Sequence, residues 1–485
     1  MLTVPPPTTA EQTAPSSRRP TPKERRAAGK ALRATRPLEA HAQVARTPAS
    51  PDALTLLEEQ AADRLPELGP IRYGRMLQSP FAYYRGAARV MASDLATAPR
   101  SGLTVQMCGD AHVSNFGLYG SPERRLVFDA NDFDETLPGP FEHDVKRLVA
   151  SIVVAGRGLG VGRKQRRAHA LAAVARYREA MAGFAQARDI EVWYSRIDAV
   201  ELQQQLAPQL GAGPRKRLAK ALDKARTRDT LQAFGRLTEV VDGRLRIRAE
   251  PPLLEPLRDL LPQETTEGTD LEATFRALIR QYRASLQSDR RALLERYSFV
   301  DMARKVVGVG SVGTRCWVVL LVGRDEDDPL LLQVKEAAPS VHAEYVGKSR
   351  YANQGQRVVA GQRLMQAASD IFLGWQRTPE PGGGHTDYYV RQLRDWKYSA
   401  PVDRLKAKAL ASYGQLCAWT LARGHARTGD RLAIAAYLGR SAEFEEALAG
   451  FGEAYADQTE RDRDELAAAA AAGRVPAAGA GGPGG

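Results

Sequence analysis

The chain has 485 residues, 43% of them apolar, which is enough for a large core in two or three lobes and argues against a disordered or fibrous protein. Three widely separated cysteines with no CxxC pair exclude a disulfide framework and a structural zinc site. An apolar run such as CWVVLLV is far too short to cross a bilayer, and the N-terminus has no apolar leader segment, so a soluble cytoplasmic protein is expected. Of the net charge of +12, half falls in residues 1–50, where nine Lys/Arg face three Glu. That segment reads as a disordered basic tail, and contact with nucleic acid is expected only through it.

Residues 51–300 read as a mostly helical lobe, punctuated by turns at Pro70 and Pro80 and interrupted by two short strands, TVQMCG and RLVFDA. Those strands are expected to form a hairpin spanning 105–135. A second hairpin is expected at VVDGRLRIR, where Asp-Gly separates alternating strands. Residues 301–400 change to a β-rich lobe with strands in KVVGVGSVGTRCWVVLLVGRDEDDPLLLQVKEA, then a helix NQGQRVVAGQRLMQAAS and a strand DYYVRQLRDW. Helices over 401–465 complete the larger lobe. The Ala/Gly-rich stretch 466–485 reads as a second disordered tail.

Chemistry concentrates in VQMCGDAHVSNFGLYGSPERRLVFDANDFDE. Asp110 follows a strand that ends in glycine, Asn115 lies five residues on, and Asp132 follows the next strand. A carboxylate to accept a proton, with an amide oxygen and a second carboxylate to hold magnesium against phosphates, suits phosphoryl transfer. Hard oxygen donors without cysteine favour magnesium over zinc. Asp129 and Asp134 flank Asp132 and are alternative metal ligands if the strand register slips.

These residues carry a resemblance. GDAHVSN resembles the GDxHxxN catalytic loop of aminoglycoside and choline phosphotransferases, and NDFDETLPGPFEHDVKRL resembles the metal-binding block and helix that follow it there. The resemblance implies ATP and Mg2+ as cofactors, Asp110 as base, Asn115 and Asp132 as metal ligands, and Asp144 as a buried support. His112 and Asp134 join Asp144 as supporting residues. GDAHxxNFG, with RYGRM and ADQTERD, is also similar to a bacterial domain-of-unknown-function 2252 family, which brings no substrate with it.

GVGSVG at 308–313 is followed by a strand, so a phosphate-covering hairpin with Gly308, Gly310 and Gly313 fits better than a dinucleotide fingerprint, which must run into a helix. Lys335 in LLLQVKEA resembles the third-strand lysine of kinases. Both follow the acids by about two hundred residues, the reverse of kinase order, so the expected fold is α+β, protein-kinase-like and circularly permuted. An ordinary-order alternative built on His425 and Asp430 lacks a following Asn and Asp-bearing strand. The helix after Lys335 carries no Glu, leaving Glu344 as the nearby candidate to pair with it, since Glu336 faces the other side of the strand. Arg72, Arg75 and Arg85 read as solvated helix arginines in preference to an anion site.

The expected activity is transfer of the ATP γ-phosphoryl group to a small-molecule acceptor, with no membrane partner. The alternatives are a catalytically silent nucleotide-binding scaffold and a nucleotidyl transferase of the same fold.

Overall fold

In the computed structural model, residues 20–478 are described, apart from 45, 48–49, 207–211, 228–229, 261–278, 381–382 and 394–395. The first helix is α1 (Pro22–Thr35), and α2 (Ala53–Ala62), α3 (Gly69–Leu77), α4 (Pro80–Gly86) and α5 (Ala88–Asp94) lead into the site. Pro70 and Pro80 stand at the first turns of α3 and α4, where a missing N–H costs nothing.

Four short strands follow: β1 (Thr104–Met107), β2 (Phe116–Gly120), β3 (Leu126–Ala130) and β4 (Leu137–Pro140). The expected pairing of TVQMCG with RLVFDA is corrected. β1 pairs with β4, and β3 pairs with β2, whose glycine-flanked FGLYG had looked like loop. A two-residue strand β5 (Ile197–Asp198) extends the β2–β3 pair. The buried helices α6 (Phe141–Gly158) and α7 (Arg163–Phe184) pack beneath these strands, and Ala111, Val113, Phe116 and Phe141 share one apolar core with them. The Asp-Gly hairpin forms from β6 (Thr238–Val241) and β7 (Arg244–Ile247), with Asp242 and Gly243 both at positive φ as its turn requires.

A six-stranded antiparallel sheet forms from β8 (Leu254–Pro256), β9 (Ser298–Lys305), β10 (Cys316–Val322), β11 (Pro329–Glu336), β12 (Gly374–Pro379) and β13 (His385–Gln392), in the order β12-β13-β11-β10-β9-β8. Helix α8 (Gln354–Met365) joins β11 to β12 and packs against β12, β13 and α9 (Ala407–Thr428). It is the physical bridge between sheet and helices. The fold is therefore α+β with antiparallel sheets.

Both expected tails are partly corrected. α1 carries a full capping box from Thr21 and Glu24 and packs along α10 (Arg431–Leu438). Arg25 forms a two-pronged pair with Asp430, Arg33 donates to the Ala436 and Tyr437 carbonyls, and Arg46 bridges Asp94 and Asp462. The basic residues thus meet acceptors that lie some 400 positions away in the chain, beyond the reach of a local charge count. At the other end α11 (Glu443–Ala471) continues past 466, Val475 is buried and Ala478 N–H donates to the Pro70 carbonyl. Residues 1–19 and 479–485 lie outside the described residues. No described helix is long and apolar enough to cross a membrane.

Candidate active site

The loop after β1 is held from below by α6. Asp144, 1% exposed in the first turn of α6, accepts the Cys108 and Gly109 N–H groups at 2.6 and 2.9 Å. His425 Nε2 lies 3.1 Å from the same carboxylate, and the other ring nitrogen meets the Tyr177 hydroxyl. Gly109 sits at φ +85°, and a Cβ there would lie 2.1 Å from the Glu135 carbonyl oxygen, so only glycine makes this turn. His342 Nε2 is 2.6 Å from the Gly109 carbonyl oxygen.

This turn presents Asp110. Arg147 Nε donates to its Oδ1 at 2.7 Å, and His112 Nε2 is 3.6 Å from its Oδ2. Burial works to raise the Asp110 carboxyl, but the Arg147 guanidinium outweighs it and holds it below the usual carboxylate range. Burial, helped by the nearby Arg147 and Arg85 charges, outweighs Asp110 and takes His112 down to about 3, so its ring is neutral at physiological pH. Asn115 donates its amide N–H to the Asp110 carbonyl at 2.7 Å, which leaves the amide oxygen free to accept or ligate.

Asp132 and Asp134 follow β3 and have opposite characters. Lys335 Nζ reaches Asp134 Oδ2 at 2.6 Å and Asp132 Oδ1 at 3.9 Å, and the Tyr389 hydroxyl donates to Asp134 Oδ1. Burial opposes ionisation of Asp134, yet Lys335 and Tyr389 bring it to about 2. Asp132 has only the distant Lys335 contact and a 3.4 Å bond from the Asp134 N–H, and burial plus the charge of Asp134 outweigh them and raise it. A cation beside Asp132 would relieve both causes.

The flanking Asp129 is excluded as a metal ligand. It is 2% exposed, accepts from Arg423 Nη2 with both carboxylate oxygens and takes the Ala367 N–H, and it is not among the cavity walls. His425 and Asp430, the ordinary-order alternative, serve as the brace of Asp144 and the cap of α10.

Glycines 308–313 form the turn between antiparallel β9 and β10, with Gly308 and Gly313 at φ +65° and +92°. The carbonyls of this turn are tied down: Arg64 takes those of Gly310 and Val312, Arg75 that of Gly308, and Leu65 N–H that of Gly313. Its tip lies over a cavity of about 740 Å3 whose walls include Asp110, His112, Asn115, Asp132, Asp134, Glu135, Gly308 and Gly310. Lys335, Asp144 and Gly313 stand behind the walls, Lys335 through its bond to Asp134.

The partner of Lys335 is corrected. It is Asp134, 201 residues earlier in the chain, whereas Glu344 only lines the cavity and Glu336 accepts from Arg315 across the strand. Where a carboxylate had been sought on α8, Arg357 stands, donating to the carbonyls of Asp134, Thr136 and Ala338. The three arginines expected in solvent are not there either. Arg72 is buried against Tyr73 and Gln60, Arg75 holds the glycine turn and Arg85 lines the cavity.

Arg147, Tyr389 and Arg357 escaped the sequence reading. For Arg147 a signal existed: Asp144, Arg147 and Ser151 recur at helical spacing along α6, and all three bond the loop. Among the described residues no three His, Cys, Asp or Glu side chains cluster as a metal site. The available donors are the Asp132 carboxylate and the Asn115 amide, with Asp134 once Lys335 is drawn off. That partial, all-oxygen set suits a magnesium ion that keeps waters and phosphate oxygens as further ligands.

The sequence profile of a family described as an uncharacterized protein conserved in bacteria (DUF2252) matches residues 64–469, and the chain belongs to that family. No curated protein and no solved structure matches it.

Proposed function

We propose that the protein is a kinase-like phosphotransferase that moves the ATP γ-phosphoryl group to a small hydroxylated or aminated acceptor. The observation that carries the reading is the 2.6 Å bond between Lys335, on β11 within the six-stranded sheet, and Asp134 beside Asp132, from a segment two hundred residues earlier. In protein kinases the third-strand lysine and a metal-binding aspartate face one nucleotide beneath a glycine-rich turn. The helix between β11 and β12 agrees with that order of elements. The reversed order along the chain is accounted for by circular permutation.

On this reading Asp110 accepts the proton of the acceptor as the new bond to the γ-phosphorus forms and the bond to the β-phosphate oxygen breaks, releasing ADP. Arg147 orients Asp110 through Oδ1 and keeps it ionised, leaving Oδ2 toward the cavity. Lys335 exchanges Asp134 for phosphate oxygens. Asn115 and Asp132 would hold Mg2+, which supplies charge neutralisation at the phosphates.

The test is thermal stability with ATP. Mg-ATP should raise the melting temperature well above ATP with EDTA, and Asp132→Asn should remove the difference. Equal shifts with and without magnesium refute the assignment. One observation favours a second reading, a silent nucleotide-binding scaffold: α8 offers Arg357 where an active kinase has a glutamate for its lysine. Magnesium-dependent binding with no transfer or hydrolysis across a broad acceptor panel would establish it.

A further inference from the structure

Three cationic side chains line the main cavity: Arg64, Arg85 and Arg89. Two are committed, Arg64 to the carbonyls of the glycine turn and Arg89 to Glu59. Arg85 is different. It closes α4, its Nε is buried with no partner, and among the described residues no hydrogen bond or ion pair engages its guanidinium. Asp110, Asp403 and Asp132 are close enough for their charges to act on it, yet none of them bonds it, and Asp110 is already taken by Arg147.

The glycine turn passes directly over this residue: a Cβ on Gly310 would lie 3.2 Å from the Arg85 carbonyl oxygen. A guanidinium fork is the side chain best matched to the oxygens of a phosphoryl group, and Arg85 presents one at the cavity wall, half-buried and with its Nε unpaired, for a ligand to complete. Tight packing holds it there, since its neighbours Tyr84 and Gly86 are buried.

We propose that Arg85 is a catalytic residue that binds the phosphoryl group in flight, between the proton acceptor Asp110 and the metal ligand Asp132. The inference rests on the phosphotransferase reading. Charge on the three equatorial oxygens is spread in the transition state, and a fixed guanidinium beside them acts as an arginine finger supplied by the same chain. Its contribution should be greater to the transition state than to bound ATP.

The experiment compares two thermal shifts in wild type and Arg85→Gln: that of Mg-ATP, and the increment when fluoroaluminate, a planar mimic of the transferring group, is added to Mg-ADP. Wild type should show both. Arg85→Gln should keep most of the Mg-ATP shift and lose most of the fluoroaluminate increment, and slow ATP hydrolysis should fall by about a thousandfold. Arg85→Lys, which preserves charge and most of the volume, should fold as wild type and show a reduced increment; it carries the test if Arg85→Gln is unstable. Low-millimolar guanidinium ion should restore part of the increment to Arg85→Ala.

An increment equal in wild type and both variants overturns the proposal. So does a loss of the Mg-ATP shift in Arg85→Gln as complete as the loss of the increment, since Arg85 would then be an ordinary nucleotide ligand. Absence of any Mg-ATP shift in wild type instead overturns the phosphotransferase reading beneath it.

Discussion

Asp144 shows how much of the site depends on a residue that never meets a substrate. Its carboxylate is the acceptor for two backbone N–H groups and lies beside His425, so Asp144→Ala leaves buried donors unpaired. The expected cost is about 3 kcal/mol in urea denaturation, with loss of activity, because the Asp110 turn loses its floor. Asp110→Asn should behave oppositely. It should keep magnesium-dependent ATP binding and lower turnover at least about a hundredfold. Asp129→Asn separates a third case, costing stability through Arg423 while sparing the magnesium-dependent shift.

Glu135 adds a pH dependence at the same scale. Burial pushes its carboxyl up to about 7, against the Val341 N–H and Arg357, which favour ionisation. A carboxyl whose folded value lies above its unfolded one keeps its proton longer when folded. Its effect on stability is nil below about pH 4.5 and grows unfavourable as pH rises through 7, reaching at most about 3 kcal/mol. Glu135→Gln should therefore flatten the decline of melting temperature between pH 5 and about 8. An unchanged profile would mean that another group titrates there.

At the scale of elements, what the sequence made legible was what is local. The Asp-Gly turn and the glycine turn between β9 and β10 each follow from residues within a few positions, whereas Pro70 and Pro80, read as turns, open α3 and α4. What it hid was long-range. FGLYG became β2 because β3 offers it a partner, and Asp134 became the partner of Lys335 because the fold closes two hundred residues of chain. The first fifty residues make the same point. Their charge was visible, but Asp430, Asp94 and Asp462, which take up Arg25 and Arg46, were not identifiable as partners. Deleting residues 1–50 would consequently remove a packed helix along with any polyanion affinity, so charge-reversing the helix-surface residues Lys23 and Lys30 with Arg18 and Arg19 is the cleaner test of nucleic-acid binding. Deletion of 1–37 should lower the melting temperature, while deletion of 1–19 should leave it nearly unchanged.

Across the whole molecule, sheet and helices are joined by polar groups as well as by the packing of α8. Lys335, Tyr389 and Arg357 all reach the segment Asp134–Thr136, and Arg64 and Arg75 reach back from the helices to the glycine turn. These contacts make the two parts one cooperative unit, and calorimetry should show a single transition. Lys335→Met tests the joint. Lys335 is buried but Asp134 is 29% exposed at the cavity wall, so removing the lysine leaves a partly solvated charge, at an expected cost of about 1–2 kcal/mol. Because the lost bond links sheet to helices, the transition should broaden or split as well as shift. Lys335→Met combined with Asp134→Asn should recover part of that stability, since no unpaired charge remains, yet Mg-ATP should stabilise the double variant far less than wild type. Additive destabilisation in the double variant would show that the two side chains are not energetically coupled, and would remove the bond on which the phosphotransferase reading depends.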